Sequence, residues 1–255
     1  MFEPLIVFVF GLIIGSFCNV VIYRLPVGES IITPGSRCRA CSAPIRPWDN
    51  IPVLSYLLLA ARCRACGEHI SLRYPCVELV MGGLYILLWL KLGVSLPLVG
   101  YALLNSTLVI VALIDLDHQI IPNIITYPGM VVGLGLSFRA LPLNPLMGSP
   151  LLASLVGLLA GGIFFYAVAL VSRGGMGGGD IKLIAMIGAF LGWQGTLFTI
   201  LVGALTGSLV GIALMLLGKK GRRDKVPFGP FLSLGAIVFT LLGDDLIDWY
   251  VRLAF

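Results

Sequence analysis

The segment Leu5–Ile22 reads LIVFVFGLIIGSFCNVVI and contains no charged residue. A helix rises about 1.5 Å per residue, so this segment can cross most of a hydrocarbon core about 30 Å thick. No basic residue precedes the run and Arg24 follows it, an order that favours a retained span over a cleaved signal sequence. We therefore predict a first transmembrane helix at residues 1–22, with its N-terminus outside.

The composition of the whole chain agrees with a membrane protein. Of its 255 residues, 58% are hydrophobic and 11% are charged, whereas soluble domains carry about 25% charged residues. The net charge of +5 does not indicate a nucleic-acid partner, because Lys and Arg mark cytoplasmic loops in membrane proteins. The chain is predicted to be an all-α polytopic protein of the lipid bilayer.

The apolar runs predict about eight transmembrane helices. The glycine-containing stretch 192–195 supplies a turn between a short sixth span and the seventh. The predicted organisation is the first helix, a loop module at residues 23–75, and a membrane domain at residues 76–255. The predicted spans are Leu5–Ile22, Cys76–Leu90, Leu96–Ile114, Ile120–Phe138, Leu151–Val171, Ile181–Gly192, Thr196–Leu217 and Phe228–Leu242.

The positions of the basic residues predict the orientation in the membrane. With the N-terminus outside, 14 basic residues fall in inside loops and 3 in outside loops, which satisfies the positive-inside rule. The outside residues are Lys91, Arg139 and Arg252. The inside residues are Arg24, Arg37, Arg39, Arg46, Arg62, Arg64, Arg73, Arg173, Lys182, Lys219, Lys220, Arg222, Arg223 and Lys225.

Four cysteines in the 23–75 loop form two C-x-x-C pairs, Cys38 with Cys41 and Cys63 with Cys66. Two such pairs supply the four thiolates of a tetrahedral zinc site, and flanking arginines would favour the thiolate form. Two disulfides are the alternative, but the predicted cytoplasmic location is reducing. We predict a structural zinc site, because four cysteines leave no open position for water or substrate.

Two acidic residues stand out at predicted span ends. Asp115 ends the third span and Asp180 opens the sixth, and both fall at the cytoplasmic side in the predicted topology. Two carboxyl groups in a partly dry site share a proton, so one can act as base while the other acts as acid. Such a pair can activate water to cleave a peptide without metal or a covalent intermediate. Gly177, Gly178 and Gly179 would let a substrate backbone approach, because they carry no side chain.

Each acid also has a structural interpretation. Asp180 could cap a helix, and Asp115 could be an interfacial residue, with Asp117 as the rival for its role. We interpret Asp117 and His118 as solvated neighbours, His69 as a loop residue, and Cys18 and Cys76 as small buried hydrophobes. Two other classes of function remain: a transporter that relays ions through carboxylates, and a non-catalytic assembly factor that docks through the zinc module.

Several motifs resemble the type IV prepilin peptidases, the bifunctional leader peptidases and N-methyltransferases of bacterial inner membranes. The resemblance covers nearly the whole chain and includes a Gly-x-Gly-Asp signature at residues 177–180. The other matching stretches are Gly15–Pro26, Pro34–Cys38, Asp49–Pro52, Ser71–Pro75, Ile114–Asp115 and Ile121–Asn123. Many members have Leu at the position of Cys18 and Asp at the position of Asn123.

The resemblance implies a function for the predicted site. Asp115 and Asp180 would be the catalytic pair of an aspartic peptidase that removes the basic leader of prepilins and pseudopilins, in pilus assembly or type II secretion. The new N-terminal amine would then be methylated by S-adenosylmethionine. No glycine-rich motif in the sequence predicts a pocket for that methyl donor, so the methyltransferase activity is implied by resemblance alone.

Overall fold

A computed structural model describes residues 2–141, 148–172, 175–218 and 226–254, which are helical apart from connections and two isolated β-bridges. The chain divides into two compact units, Met1–Gly93 and Val94–Phe255. The first unit contains α1 (Glu3–Arg24), the short helix α2 (Leu54–Leu58) and α3 (Arg73–Leu92). The second contains α4 (Leu96–His118), α5 (Asn123–Leu136), α6 (Pro150–Val171), α7 (Gly178–Leu216) and α8 (Gly229–Ala254).

Small residues bring α1 and α3 together in the first unit. A Cβ added to Gly15 would lie 2.6 Å from the Cα of Glu78, and one added to Gly11 would lie 2.8 Å from the Cα of Gly82. Helices that approach this closely lack room for side chains between them, as is common in membranes. The end of α1 is also tied to the start of α3, because the Asn19 side-chain amide donates to the Tyr74 carbonyl at 3.1 Å.

The two cysteine pairs form matching local turns between α1 and α3. In the first, the Cys38 N–H donates to the Ala43 carbonyl at 2.9 Å; in the second, the Cys63 N–H donates to the Glu68 carbonyl at 2.8 Å. A β-bridge flanks each turn, Arg37 with Pro44 and Arg62 with His69. The module is therefore built from two similar knuckles, each closed by its own backbone hydrogen bonds.

Helix α7 is interrupted at Gly192, whose φ of 69° and ψ of −174° are not helical. An added Cβ on Gly161 of α6 would lie 2.8 Å from Thr196 and 3.2 Å from Ile184. In a straight helix those two residues would be about 18 Å apart. The chain therefore reverses at Gly192, which confirms the predicted turn between the sixth and seventh spans.

The described residues give helices close to the predicted spans. Six of these helices are long and apolar enough to cross a membrane. The eight predicted segments correspond in order to these six helices, with α7 divided at its reversal, and to α5, which is apolar but shorter than a full span. Helix α5 begins three residues later and ends two residues earlier than the predicted span Ile120–Phe138, and its 14 residues extend about 21 Å. The predicted basic residues Arg173, Lys219, Lys220, Arg222, Arg223 and Lys225 lie outside the described residues.

Three helix ends of the second unit come together. The end of α4 contacts the start of α8 through Asp115 and Gly229, and the residues after α4 contact the start of α7 through Ile121 and Gly179. Along their lengths, α4 and α8 are joined by a buried hydrogen bond from the Asn105 amide to the Thr240 hydroxyl at 3.1 Å. These helix ends position the two predicted catalytic acids.

Candidate active site and metal centre

Asp115 lies in the last turn of α4 and is only 5% exposed. The helix ends at His118, because Gln119 adopts a left-handed φ of 54°, and the Gln119 N–H donates to the Asp115 carbonyl at 2.9 Å. A negative charge is unfavourable at the C-terminal end of its own helix. The side chain instead meets the start of α8, where the Gly229 N–H donates to Asp115 Oδ2 at 2.9 Å.

Asp180 lies in the first turn of α7, where its own N–H donates to the Gly177 carbonyl at 3.1 Å. The Asp180 carboxyl group in turn interacts with the backbone N–H of Gly177. This reciprocal arrangement resembles a capping box, in which the third residue of a helix binds back to the residue before the helix. Both acids are therefore held by a glycine N–H at the start of a helix.

The structure brings the two acids, which are 65 residues apart in sequence (180 − 115), to one end of the second unit. The charge of Asp115 is close enough to act electrostatically on the Asp180 carboxyl group. The start of α7 is fixed against the segment after α4, because an added Cβ on Gly179 would lie 2.8 Å from Ile121 Cβ. Two carboxyl groups within electrostatic range of each other are the donor set that general acid–base catalysis requires.

Asp115 differs in exposure from the two ionisable residues that follow it in the chain. Asp117 and His118 are exposed, whereas Asp115 is buried. Burial excludes water from Asp115 and makes its interactions stronger than those of an exposed carboxylate. The structure therefore favours Asp115 over Asp117 as the acid of a reactive pair.

The three predicted substrate-approach glycines have different surroundings. Gly179 packs against Ile121, and an added Cβ on Gly177 would lie 3.1 Å from Asp180 Oδ2. Gly178 is exposed and has open space where a Cβ would stand. Packing against the chain's own residues thus explains Gly179 and Gly177, while the approach of a substrate stays a prediction for this segment.

A further contact joins the starts of α5 and α7. The Lys182 ammonium group donates to Asn123 Oδ1 at 2.8 Å and lies 5.5 Å from the centre of the Tyr127 ring. Asn123 stands where many members of the resembled family have Asp. An amide oxygen accepts this hydrogen bond as a carboxylate would, so the difference preserves the link between the two helices.

An apolar groove of about 230 Å³ lies on three helices of the same unit. It runs between α4, α5 and the first half of α7, which include the two helices that carry the acids. Thr107 on its wall lies about 12 Å along α4 from Asp115. The groove is lined by Leu103, Leu104, Thr107, Ile125, Pro128, Gly129, Val132, Met186 and Phe190.

The four loop cysteines form one cluster. Their sulfur atoms all lie within 4.8 Å of one another, and the Sγ atoms of Cys38 and Cys66 are 3.9 Å apart. Four sulfurs at about 2.3 Å from a tetrahedral zinc ion are separated by about 3.8 Å. The donor set and its spacing therefore fit a metal ion, and His69 is not part of this cluster.

The thiols of this cluster do not titrate alike. Backbone N–H groups of Cys41 and Ala40 lower the pKa of Cys38 to about 7. The Glu68 N–H lowers the pKa of Cys66, but the neighbouring thiols raise it, and the net result is about 12. Four thiolates at these distances repel one another, so a cation is needed to hold all four in the charged form.

The arginines beside the cysteines were predicted to favour the thiolate form, and the structure gives them other partners. Arg64 makes two hydrogen bonds to Asp49, at 2.9 and 2.7 Å. The Arg39 guanidinium lies 3.6 Å from the centre of the Tyr23 ring. Backbone N–H groups, rather than these arginines, lower the pKa of the Cys38 thiol.

The two remaining cysteines differ in exposure. Cys18 is 1% exposed, as expected for a small buried hydrophobe. The prediction that Cys76 is buried was wrong, because its side chain on α3 is exposed. Sequence analysis also missed Gly229, whose contact with Asp115 has no signal in local spacing because 114 residues separate the two.

The comparisons with known proteins agree with this architecture. Residues 9–92 match the bacterial peptidase A24 N-terminal domain, and residues 102–212 match the type IV leader peptidase family. The first match lies within the first structural unit and the second match within the second unit. The fold and the site define a multi-pass membrane protein with a pair of carboxyl groups and a cluster of four cysteines that could hold a metal ion.

Three curated relatives share the name prepilin leader peptidase/N-methyltransferase. The chain is 37% identical to the one from Bacillus subtilis (strain 168), over 98% of each chain. It is 42% identical to the one from Myxococcus xanthus (strain DK1622), over 86% of this chain and 65% of that one. It is 35% identical to the one from Aeromonas hydrophila, over 96% of this chain and 93% of that one.

No solved structure gives a significant match. The curated relatives nevertheless match at these identities over most of their own length. The chain belongs to the type IV leader peptidase family.

Proposed function

We propose that this protein is an aspartic peptidase that removes the leader of type IV prepilins and pseudopilins with Asp115 and Asp180. The observation that supports the proposal is that two acids from distant parts of the chain lie at one end of the second unit, within electrostatic range of each other. The relatives' shared name supplies the substrate class. This support favours a peptidase over the transporter and the assembly factor.

The proposed reaction needs only the two carboxyl groups and one water molecule. One carboxylate takes a proton from the water, whose oxygen attacks the scissile carbonyl carbon. The other carboxyl group, protonated at the start, donates to the carbonyl oxygen. The tetrahedral intermediate then collapses: the first carboxyl group gives the leaving amine the proton that it took from water, the second regains its proton from a hydroxyl of the intermediate, and the peptide bond breaks. Gly177, Gly178 and Gly179 border the acids as the proposed approach of the substrate backbone.

The positive-inside count supports a location for this reaction. It predicts the N-terminus outside, and the zinc module and both acids on the cytoplasmic side of the bacterial inner membrane. A basic leader in the cytoplasm would then be cut where the apolar helix of its substrate enters the membrane. In this organisation residues 1–22 are the first helix, 23–75 the zinc module and 76–255 the membrane peptidase domain.

Two cofactors accompany the proposal. Zinc would be held by Cys38, Cys41, Cys63 and Cys66, and it would stabilise the loop module without taking part in peptide cleavage. S-adenosylmethionine would donate a methyl group to the new N-terminal amine, as the name of the relatives implies. Methyl transfer releases S-adenosylhomocysteine and one proton.

Incubation of the purified full-length protein with a prepilin in detergent or liposomes tests the proposal. Mass spectrometry should show loss of the leader, and addition of S-adenosylmethionine should add one methyl group to the mature product. A transporter or an assembly factor would leave the prepilin intact. An uncut prepilin in the presence of folded protein would therefore reject the peptidase.

A further inference from the structure

The contact between Asp115 and Gly229 joins an acid of the proposed active site to the first residue of α8. The first N–H groups of a helix have no partner within the helix, so the N–H of Gly229 is free to bind a side chain. It donates to Asp115 Oδ2 at 2.9 Å in a buried setting. Pro230 follows and has no N–H of its own. Gly229 is therefore the donor at this position.

The contact also requires that residue 229 have no side chain. An added Cβ would lie 2.7 Å from Asp115 Oδ2, 3.2 Å from its Cγ and 3.3 Å from its Cβ. The first of these distances is shorter than any ordinary carbon–oxygen contact, so a larger residue would push the carboxyl group away. Gly229 thus both binds the carboxyl group and leaves the space that it occupies.

The register of α8 against α4 is fixed at a second point. Asn105 and Thr240 are fully or almost fully buried and exchange hydrogen bonds at 3.1 and 3.2 Å. Asn105 precedes Asp115 by 10 residues, and Thr240 follows Gly229 by 11 residues, which are similar distances along two antiparallel helices. The two contacts together hold the start of α8 beside the acid.

We propose that Gly229 is a positioning residue for peptide cleavage, acting through Asp115. Its N–H holds one carboxyl oxygen of Asp115, so that the other oxygen keeps a fixed orientation toward the reacting water. The inference rests on the proposed function, since it assumes that Asp115 takes part in cleavage. Orientation of a reacting group contributes to the rate and not to the binding of substrate.

An ester bond in place of the amide at Gly229 isolates the hydrogen bond. Incorporation of glycolic acid at position 229 replaces N–H by oxygen and adds no side chain. We expect kcat for leader removal, measured on the purified full-length protein with a prepilin, to fall at least about 10-fold, as expected for loss of a hydrogen bond to a charged group. KM should stay within about twofold. An unchanged kcat would overturn the inference.

Gly229→Ala tests the requirement for space, with Gly211→Ala as the matched control in open space on α7. We expect Gly229→Ala to have a lower kcat than the wild type. Gly211→Ala should have the kcat of the wild type. If Gly229→Ala fails to fold, the double variant Asp115→Ala/Gly229→Ala should recover most of the melting temperature of Asp115→Ala, because the contacts with Oδ2 and Cγ are gone and only the 3.3 Å contact with Cβ remains. Failure of the double variant to recover would contradict the contact.

These outcomes separate the inference from the proposed function. Wild-type protein that leaves the prepilin intact would reject the peptidase itself. Wild-type cleavage with equal cleavage by the ester variant would reject only the role of Gly229. A purely structural cap would lower the folded fraction and leave kcat per folded molecule unchanged, which would also overturn the positioning role.

Discussion

The cysteine cluster and the acid pair are two sites assembled by opposite means. The cysteines lie within a 29-residue stretch, are half-buried or exposed, and are presented by local turns. The acids are 65 residues apart in sequence, and the ends of packed helices hold them. We therefore expect the first site to depend on a bound ion for its stability, and the second site to depend on helix packing and to be preformed.

Replacement of either acid should have the largest effect on function and tests whether the acid pair is the reactive site. Asp115→Asn and Asp180→Asn should each lower kcat for leader cleavage by at least about 100-fold, because each removes a group that accepts or donates a proton. Cleavage of a prepilin by the purified variants measures the loss.

Asp117→Asn is the matched control for these variants. Asp117 is exposed, and its change should lower kcat by less than about threefold. A dead Asp117→Asn variant with an active Asp115→Asn variant would show that the wrong acid was assigned.

The next largest effect is expected on stability, when a cysteine of the predicted zinc site is replaced. Cys38→Ser should abolish binding of about one zinc ion per chain and destabilise the loop module, because binding of a structural zinc ion contributes directly to folding. Metal analysis and thermal unfolding measure both changes. Chains that stay folded should still cleave the leader.

Cys76→Ser is the control for the metal variant, since Cys76 is exposed and outside the cluster. It should keep the zinc content and the melting temperature of the wild type. Direct loss of cleavage in a folded, zinc-free protein would contradict a purely structural metal.

Helix packing should respond to added volume where the helices touch. Gly15→Ala places a Cβ 2.6 Å from Glu78 Cα, and overpacking of this kind costs about 1–3 kcal/mol in the free energy of unfolding. Gly83→Ala, which meets nothing within 4 Å, should be neutral or stabilising by up to about 1 kcal/mol. Equal unfolding curves for the two variants would argue against close packing of α1 and α3.

The smallest expected effect concerns an ion pair in the cysteine module. The Arg64 guanidinium lowers the pKa of Asp49 through its hydrogen bonds. A lowered pKa in the folded protein stabilises it above the unfolded value of about 3.9, and this stabilisation is lost as pH falls through the folded value. Asp49→Asn should therefore lower the melting temperature slightly at neutral pH.

The wild type and Asp49→Asn should become equally stable in acid. Glu29→Gln is the control, because its contact with Arg37 is longer, at 3.7 Å, and should shift the melting temperature less. A difference between wild type and Asp49→Asn that does not shrink as the pH falls below the unfolded value of about 3.9 would contradict the ion pair as its cause.

The features predicted from the sequence are those that depend on neighbouring residues. The lengths of the apolar runs predict most of the helices, and the doubled C-x-x-C spacing predicts the cysteine cluster. Gly192 was read as part of a turn because a positive φ suits glycine. Helix α5 begins at Asn123, three residues after the predicted start, because Pro122 before it has an extended backbone that hydropathy does not reveal.

The features missed from the sequence depend on packing between distant segments. No spacing rule relates Gly229 to Asp115, and no composition rule places Ile121 against Gly179. The pairing of Arg64 with Asp49 likewise depends on how the loop folds around the cysteines. The acids were predicted because ionisable groups beside the hydrocarbon are costly, while the residues that support them are ordinary apolar or small residues.

The central claim is that Asp115 and Asp180 act as one unit, and the kcat values of the single and double Asn variants test it most directly. Groups that act together are non-additive, so the double variant should cleave a prepilin no more slowly than the slower single variant. The claim would be contradicted if the fold reduction in kcat of the double variant equalled the product of the two single reductions. Near-wild-type cleavage by either single variant would also contradict it.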